Sequence, residues 1–411
     1  MGARMRTSSG TLASPARIGR LRPGPRRHDA HTTDRDGRDS RPPRLVLLFV
    51  AVACLLLPAC ADAESSEQSS WSLDREKLNA VFAGYEDVIP DFDQLRTVVV
   101  ATEDRIVFEQ YYGSDPDTYR VVNSVTKSVV STLIGIALHE GLIGSLDDTM
   151  AELLPRYADA MSPRVAGATL RHLLTMTAGF PGTQGATAPD FTKSTHWVRD
   201  ILTHPESAPG SRFRYSDGTS HLLAAVLEEA TGTSALNFAR SRLFGPLGID
   251  TQPAFDPAAS EELQAKNLAD YQNADFAWPR DPQGVSTGWW GIKLRPRDMV
   301  KLGQLFLAGG RWENQQVVPA DWVDQATARQ VAAEGPGDGY GYQWWTSTTD
   351  GDEAFAAVGY GGQIIQVVPD RNVVVVTSTE MRENDATSQG IDNGLLLNVI
   401  EDDILAHIPA G

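Results

Sequence analysis

Cysteine is almost absent from this chain, and the two that occur, Cys54 and Cys60, both lie near its N-terminal end. The remainder therefore has no disulfide, no thiol nucleophile and no cysteine-bound metal. Lysine is scarce too, with six among 411 residues. No G-x-S-x-G elbow is present, and none of the eight histidines has a recognisable triad context. His172 and His221 fall on apolar helical stretches and read as packed residues rather than bases. No H-E-x-x-H pair occurs, so neither a metal nor another cofactor is expected. Long apolar runs are missing as well: Leu45–Leu57 is the strongest, and about a dozen residues cannot span a bilayer.

That run instead fits the core of an export signal. Arg41 and Arg44 precede it, after a leader rich in Arg, Pro, Gly and Ser. Two cleavage readings compete. Leu57-Pro-Ala-Cys60 has the form of a bacterial lipoprotein box, which would attach a lipidated Cys60 to the membrane, whereas Ala61-Asp-Ala63 fits an ordinary small-x-small site. Residues 1–59 are thus read as an export signal, 60–74 as a tether and 75–411 as the folded domain, of an envelope lipoprotein or a secreted protein. Residues 1–59 carry eleven Arg and four Asp, a net of +7, so removing them takes the formal charge from −17 to −24. So acidic a surface disfavours nucleic acid as a partner.

The most informative stretch is Val122–Leu138. Val125, Val129, Leu133, Ile136 and Ala137 recur at helical spacing, predicting a helix buried on most of its circumference. Ser124 stands at its start and Lys127 three residues on, so both share one face. A lysine on an apolar helix must be paired or lose its charge. The alternative is that Ser124 only caps the helix while Lys127 reaches out to water. S-x-x-K alone decides little, because a chain of this length carries about one by chance.

Along the chain, Leu73–Val88 reads as a helix and Thr97–Ala101 with Ile106–Tyr112 as a hairpin around Glu103-Asp104. Thr169–Gly179, a stretch after Asp217 running through Leu222, Val226 and Leu227 to a stop at Gly232, Ala235–Phe244, Arg297–Leu307 and Ala320–Ala328 read as helices. Phe180–Thr192 reads as loop and Ala254–Gly291 as irregular. Ala354–Val358, Gln363–Val368 and Asn372–Thr379 are β-rich, and Gly390–Ile408 is a closing helix. Strands at both ends with helices between them predict an α/β fold. One antiparallel sheet is built from both termini (about 75–140 and 350–411), with a large, mostly helical insertion at about 141–349.

Two further pieces complete a candidate site. Tyr215, in Phe213-Arg-Tyr-Ser-Asp217, sits in a loop just before a helix. A phenol with a pKa of about 10 serves as a base only beside a cation, which a buried Lys127 would supply. Equally, Tyr215 could be a rim aromatic and Asp217 a helix cap. Late in the chain, Gly359-Tyr360-Gly361-Gly362-Gln363 opens a strand. Its small residues would let a substrate lie along a strand edge, with the Gln363 N–H joining that of Ser124 as an oxyanion hole. A plain glycine-rich turn is the competing reading.

Ser124-Val-Thr-Lys127, Tyr215-Ser-Asp217 and Tyr360-Gly-Gly362 resemble the S-x-x-K, Y-x-N and K/H-x-G elements of the penicillin-recognising serine hydrolases. Their order and separations are similar to those of the class C β-lactamase branch, with its esterases, DD-peptidases and aminohexanoate-oligomer hydrolases. RHLLTMTAG at 171–179, LFGPLGI at 243–249, PRDMVKLGQLFLAGGRW at 296–312 and GYGYQWW at 339–345 carry the resemblance over roughly residues 75–408. It implies a β-lactamase/transpeptidase-like fold and an acyl-enzyme on Ser124, with Lys127 and Tyr215 sharing the proton relay and either qualifying as base. It also implies substrate or oxyanion contacts from Asp217, Tyr360, Gly361, Gly362 and Gln363.

Two departures shape the reading. Asp217 replaces an asparagine, and pairing with Lys127 would hold that lysine cationic and favour Tyr215 as base. Tyr360 replaces a lysine or histidine and supplies no charge for a substrate carboxylate. The expected function is an exported serine hydrolase of a small ester or amide, with Trp289, Trp290, Trp344 and Trp345 as pocket candidates. A DD-peptidase or β-lactamase acting on peptidoglycan-type substrates is the first alternative, and a catalytically silent envelope binding protein the second.

Overall fold

Valine-rich segments from opposite ends of the chain make the centre of the structure. The computed structural model describes residues 75–183, 190–257, 270–349, 351–380 and 390–408. These all fall in one compact unit spanning Ser65–Gly411. The segments read from sequence as an export signal and a tether, with Cys60, lie outside the described residues.

Helix α1 (Arg75–Tyr85) is followed by strands β1 (Leu95–Ala101) and β2 (Ile106–Tyr111), then by α2 (Val125–His139). Helices α3 (Asp217–Thr231) and α4 (Pro296–Leu307) follow. The chain then lays down β3 (Val331–Ala332), β4 (Gly339–Tyr340), β5 (Trp345–Thr349), β6 (Asp352–Gly359), β7 (Gln363–Val368) and β8 (Val373–Thr379), and closes with α5 (Asn393–Val399). The eight strands form one sheet in the order β2-β1-β8-β7-β6-β5-β4-β3, and each neighbouring pair is antiparallel. The β1/β8 seam joins the two ends of the chain, with Val99 opposite Val376 and Ala101 opposite Val374.

Every residue of β7 and β8 is buried, because both faces of the sheet are covered. Alternation sorts them. Val374 and Val376 join the core under α2 and α4, whereas Val373 and Val375 join the core with Leu78, Phe82 and Leu396 of α1 and α5. Helix α4 comes so close to the sheet that a Cβ on Gly303 would lie 2.4 Å from Val374. Only glycine permits that approach.

Several boundaries differ from the sequence reading. The segment expected to be mostly helical, about 141–349, also supplies β3, β4 and β5, of which β3 and β4 are two residues long and too short to show a period. The first helix ends at Tyr85 rather than Val88. The closing helix is α-helical only over Asn393–Val399, then widens to a π-type turn at Ile400–Ile404 and tightens to a 3₁₀ turn at Leu405–His407. That change of pitch keeps Ile400, Ile404, Leu405 and Ile408 all buried.

Candidate active site

Helix α2 sets the site. Residues 125–137 are all buried, so the helix is clamped and its N-terminal turn has little freedom. Asn123 precedes it with φ 48, a left-handed conformation that asparagine tolerates better than most residues. Its side-chain Nδ2 donates to the Tyr360 carbonyl at 2.8 Å.

Ser124 occupies the cap position with helical φ and ψ, but its hydroxyl caps nothing. It accepts instead from Lys127 Nζ at 2.8 Å. Lys127, 1 % exposed, donates also to Asp217 Oδ1 at 2.6 Å and to the Trp289 carbonyl at 3.4 Å. An ammonium has three protons and no lone pair, and Tyr215 is a further hydrogen-bond partner beside these three acceptors. Burial by itself would push this lysine down. The Asp217 carboxylate and then Tyr215 outweigh that, so its pKa stands above the ordinary lysine value.

Tyr215 meets the same ammonium, with Nζ 4.7 Å from the ring centroid. The ring is fixed by a stack on Trp345 (5.4 Å, 25°) and an edge contact with Tyr340 (6.1 Å, 89°). Ser216, not Asp217, caps α3, its side chain accepting from Thr219 N. This leaves the Asp217 carboxylate for Lys127. Thr183 clamps the segment from outside, donating its N–H to the Tyr215 carbonyl and accepting from Asp217 N through Oγ1, both at 2.8 Å. Four of the sequence-predicted residues, Ser124, Lys127, Tyr215 and Asp217, thus meet around one nitrogen.

The late motif behaves differently. Tyr360, Gly361 and Gly362 form the turn between β6 and β7, with Gly361 at φ 81 and Gly362 at φ 99. Gln363 is therefore not at an edge. It lies on an inner strand between β6 and β8, and its side chain is spent on Thr379. The expectation that it opens an exposed strand edge is corrected on that ground. The segment that reaches the site is Gly359–Tyr360: a Cβ on Gly359 would lie 2.3 Å from the Val122 carbonyl and 3.2 Å from Asn123 Cβ. Pairing with β5 ends at Ala356, so Ala357–Gly359 run free of it on the side facing α2. Tyr360 projects outward, 53 % exposed.

Of the four tryptophans named as pocket candidates, two are at the site. Trp289 contacts Lys127 and Trp345 backs Tyr215. Trp344 is core, 4.4 Å from Phe306, and Trp290 packs on Tyr271. Two cavities flank the Tyr215–Asp217 segment. One of about 220 Å³ has Phe180, Phe191, Trp289 and Asp217 among its lining. The other, about 520 Å³, is lined by Gly182, Phe213, Arg214, Tyr215, Ala332, Ala333 and Glu334.

Sequence reasoning passed over Thr183, Asn123 and Gln343. Gln343, at φ 64, accepts from Ser220 Oγ and donates to the Leu173 and Leu174 carbonyls, while its own carbonyl accepts from Ser128 Oγ. It ties α2, α3 and the 170–174 helix together. Its position in GYGYQWW was the one signal available.

An antiparallel sheet between helical layers, with a serine hydroxyl bonded to a buried, carboxylate-paired lysine, defines a serine hydrolase of β-lactamase fold. A profile of the Beta-lactamase family matches residues 92–395, and the chain belongs to that family. It is 24 % identical over 321 residues to a 6-aminohexanoate-dimer hydrolase of Paenarthrobacter ureafaciens, covering 71 % of this chain and 75 % of the relative. It is 24 % identical over 325 residues to the D-alanyl-D-alanine-carboxypeptidase/endopeptidase AmpH of Escherichia coli, covering 72 % and 82 %. Among solved structures, a putative β-lactamase from Bacteroides dorei superposes with a TM-score of 0.59 at 19 % identity, covering 80 % of this chain and 98 % of that one.

Proposed function

We propose that this protein hydrolyses a small carboxylic ester or amide through an acyl-enzyme on Ser124. The observation that carries the reading is the 2.8 Å contact from Lys127 Nζ to Ser124 Oγ, with Asp217 at 2.6 Å behind the same nitrogen.

Lys127 holds its charge and has no lone pair to offer, so the phenol oxygen of Tyr215 is the group assigned to receive the Ser124 proton. The Ser124 proton passes to the Tyr215 oxygen as Oγ bonds to the substrate carbonyl carbon. The Ser124 N–H and the Tyr360 N–H, neither with an acceptor among the described residues, receive the developing oxyanion. The bond to the leaving oxygen or nitrogen breaks, and that atom takes the proton back from Tyr215. Water then repeats the sequence on the acyl-serine, giving the free acid and restoring the hydroxyl. Labelling by a fluorophosphonate tests this: it should be stoichiometric and absent in Ser124→Ala, and equal labelling of both would refute it.

A DD-peptidase or β-lactamase reading draws on the likeness to AmpH. Tyr360 argues against it, since that position offers no charge for a substrate carboxylate. Hydrolysis of a 4-nitrophenyl ester but not of a chromogenic cephalosporin separates the two. Export is part of the proposal, resting on Arg41, Arg44 and the apolar run Leu45–Leu57. Mass spectrometry of the mature N-terminus distinguishes a lipidated Cys60 from cleavage after Ala63.

A further inference from the structure

The turn between β4 and β5 touches α2, α3 and Tyr215 at once. Ser128 Oγ, one residue after Lys127 on α2, donates to the Gln343 carbonyl at 2.7 Å, and Ser131 Oγ donates to the Tyr342 carbonyl at 2.6 Å. Ser220 Oγ, three residues after Asp217 on α3, donates to Gln343 Oε1 at 2.7 Å. Trp345, two residues beyond Gln343, stacks on Tyr215. Gln343 Nε2 donates to the Leu173 and Leu174 carbonyls at 3.2 and 2.9 Å, in the last turn of the 170–174 helix, where carbonyls lack partners within the helix. Just beyond that helix the Met176 carbonyl holds Arg214 N, next to Tyr215.

Gln343 is 2 % exposed, and its φ of 64 is a conformation that glycine adopts more readily than glutamine. The turn by itself therefore does not call for this side chain. The amide does. It offers two protons and an acceptor oxygen, and it uses them on two carbonyls and one hydroxyl. We propose that Gln343 is a positioning residue for the relay, holding α2 and α3 at the separation at which Lys127 reaches Ser124 and Asp217 together. The inference rests on the acyl-enzyme reading, because it assigns Gln343 to the same serine chemistry. Gln343 acts through Ser128 and Ser220, which share their helices with Lys127 and Asp217. A displacement of about 1 Å in such an arrangement is enough to lower a rate about 100-fold.

Gln343→Gly separates the side chain from the turn, since glycine suits the positive φ and keeps the carbonyl that Ser128 uses. Its kcat on a 4-nitrophenyl ester should fall at least about tenfold with KM within about threefold of native, and fluorophosphonate labelling of Ser124 should slow similarly. Ser220→Ala, which removes only the contact to α3, should show a smaller loss of the same kind and serves if the glycine variant does not fold. Asp281→Ala loosens α3 through His221 instead. A loss of kcat in Asp281→Ala equal to that in Gln343→Gly would make the effect one of stability and overturn the assignment. The kcat losses of Gln343→Gly and Asp217→Asn should combine to less than their product, because both loosen one pair. Losses that multiply, or a kcat within about twofold of native in both Gln343→Gly and Ser220→Ala, would likewise overturn it. A native protein that neither hydrolyses the ester nor takes the label counts against the acyl-enzyme reading. Gln343 is then judged by carbon-13 NMR titration of Lys127, whose ammonium faces Asp217 and Tyr215. Deprotonation at lower pH in Gln343→Gly than in the native protein supports the proposal, and an unchanged titration refutes it.

Discussion

Helix α3 carries two buried pairs one turn apart, and they have opposite characters. At its first residue Asp217 meets Lys127, and four residues on His221 meets Asp281 through Nε2 at 3.2 Å. His221 and Asp281 are both 0 % exposed, and Phe191, Trp197 and Trp289 pack around the His221 ring. Asp281 Oδ1 also accepts from Gln283 N and Val285 N, so it organises a loop. Asp217 is 19 % exposed, borders a cavity, and shares its lysine with a serine and a phenol. Pairing a buried charge is a requirement of folding at both places. Only where the pair opens on a cavity and holds a hydroxyl can it serve chemistry.

The largest effect that would sharpen this contrast is at Ser124. Ser124→Ala should lower turnover of a nitrophenyl ester by about four orders of magnitude or more, with no loss of melting temperature. Tyr215→Phe and Lys127→Ala should each cost about two or more orders in kcat. A Tyr215→Phe variant that keeps most activity would place the base elsewhere.

Asp217→Asn tests what keeps Lys127 charged. Without the carboxylate, burial dominates and the lysine pKa falls, so an ionisation absent from the native kcat/KM–pH profile should enter it. The stability consequence has a definite sign. A lysine whose folded pKa is raised contributes fully below its ordinary value of about 10.5 and loses that contribution only as pH climbs through the folded value. Native stability near neutrality should therefore be insensitive to this group.

The smallest effect on activity is expected at the sealed pair. Asp281→Ala strands His221 and two N–H donors, so unfolding free energy should drop by about 2–4 kcal/mol while kcat changes less than about tenfold. Denaturant unfolding beside ester kinetics checks both. A large loss of kcat with unchanged stability would dissolve the distinction between the pairs.

Local pattern made much of this visible in the sequence. The period of Val125, Val129, Leu133 and Ile136 yields α2, and Val-rich runs bounded by Gly and Pro yield β7 and β8. Ser124 and Lys127 are legible because an i, i+3 spacing puts both on one face whatever the rest of the chain does. Gln363 was misplaced because sequence does not say which neighbours a strand acquires. Its strand became an inner one, with both sides occupied. Trp344 and Trp345 are adjacent, so alternation sends one into the core and the other to Tyr215, and which goes where depends on register.

By itself, then, the sequence determined the helix that bears Ser124 and Lys127, the lack of any thiol in the described residues, and the class of chemistry a hydroxyl and an amine at that spacing allow. Tertiary structure alone decided that Asp217 neutralises Lys127, that Ser216 rather than Asp217 caps α3, and that Gly359–Tyr360 lies against Val122 and Asn123. The physical reason is range. Helical periodicity is written within a few residues, whereas an ion pair spanning 90 positions exists only once packing has closed the loop between them.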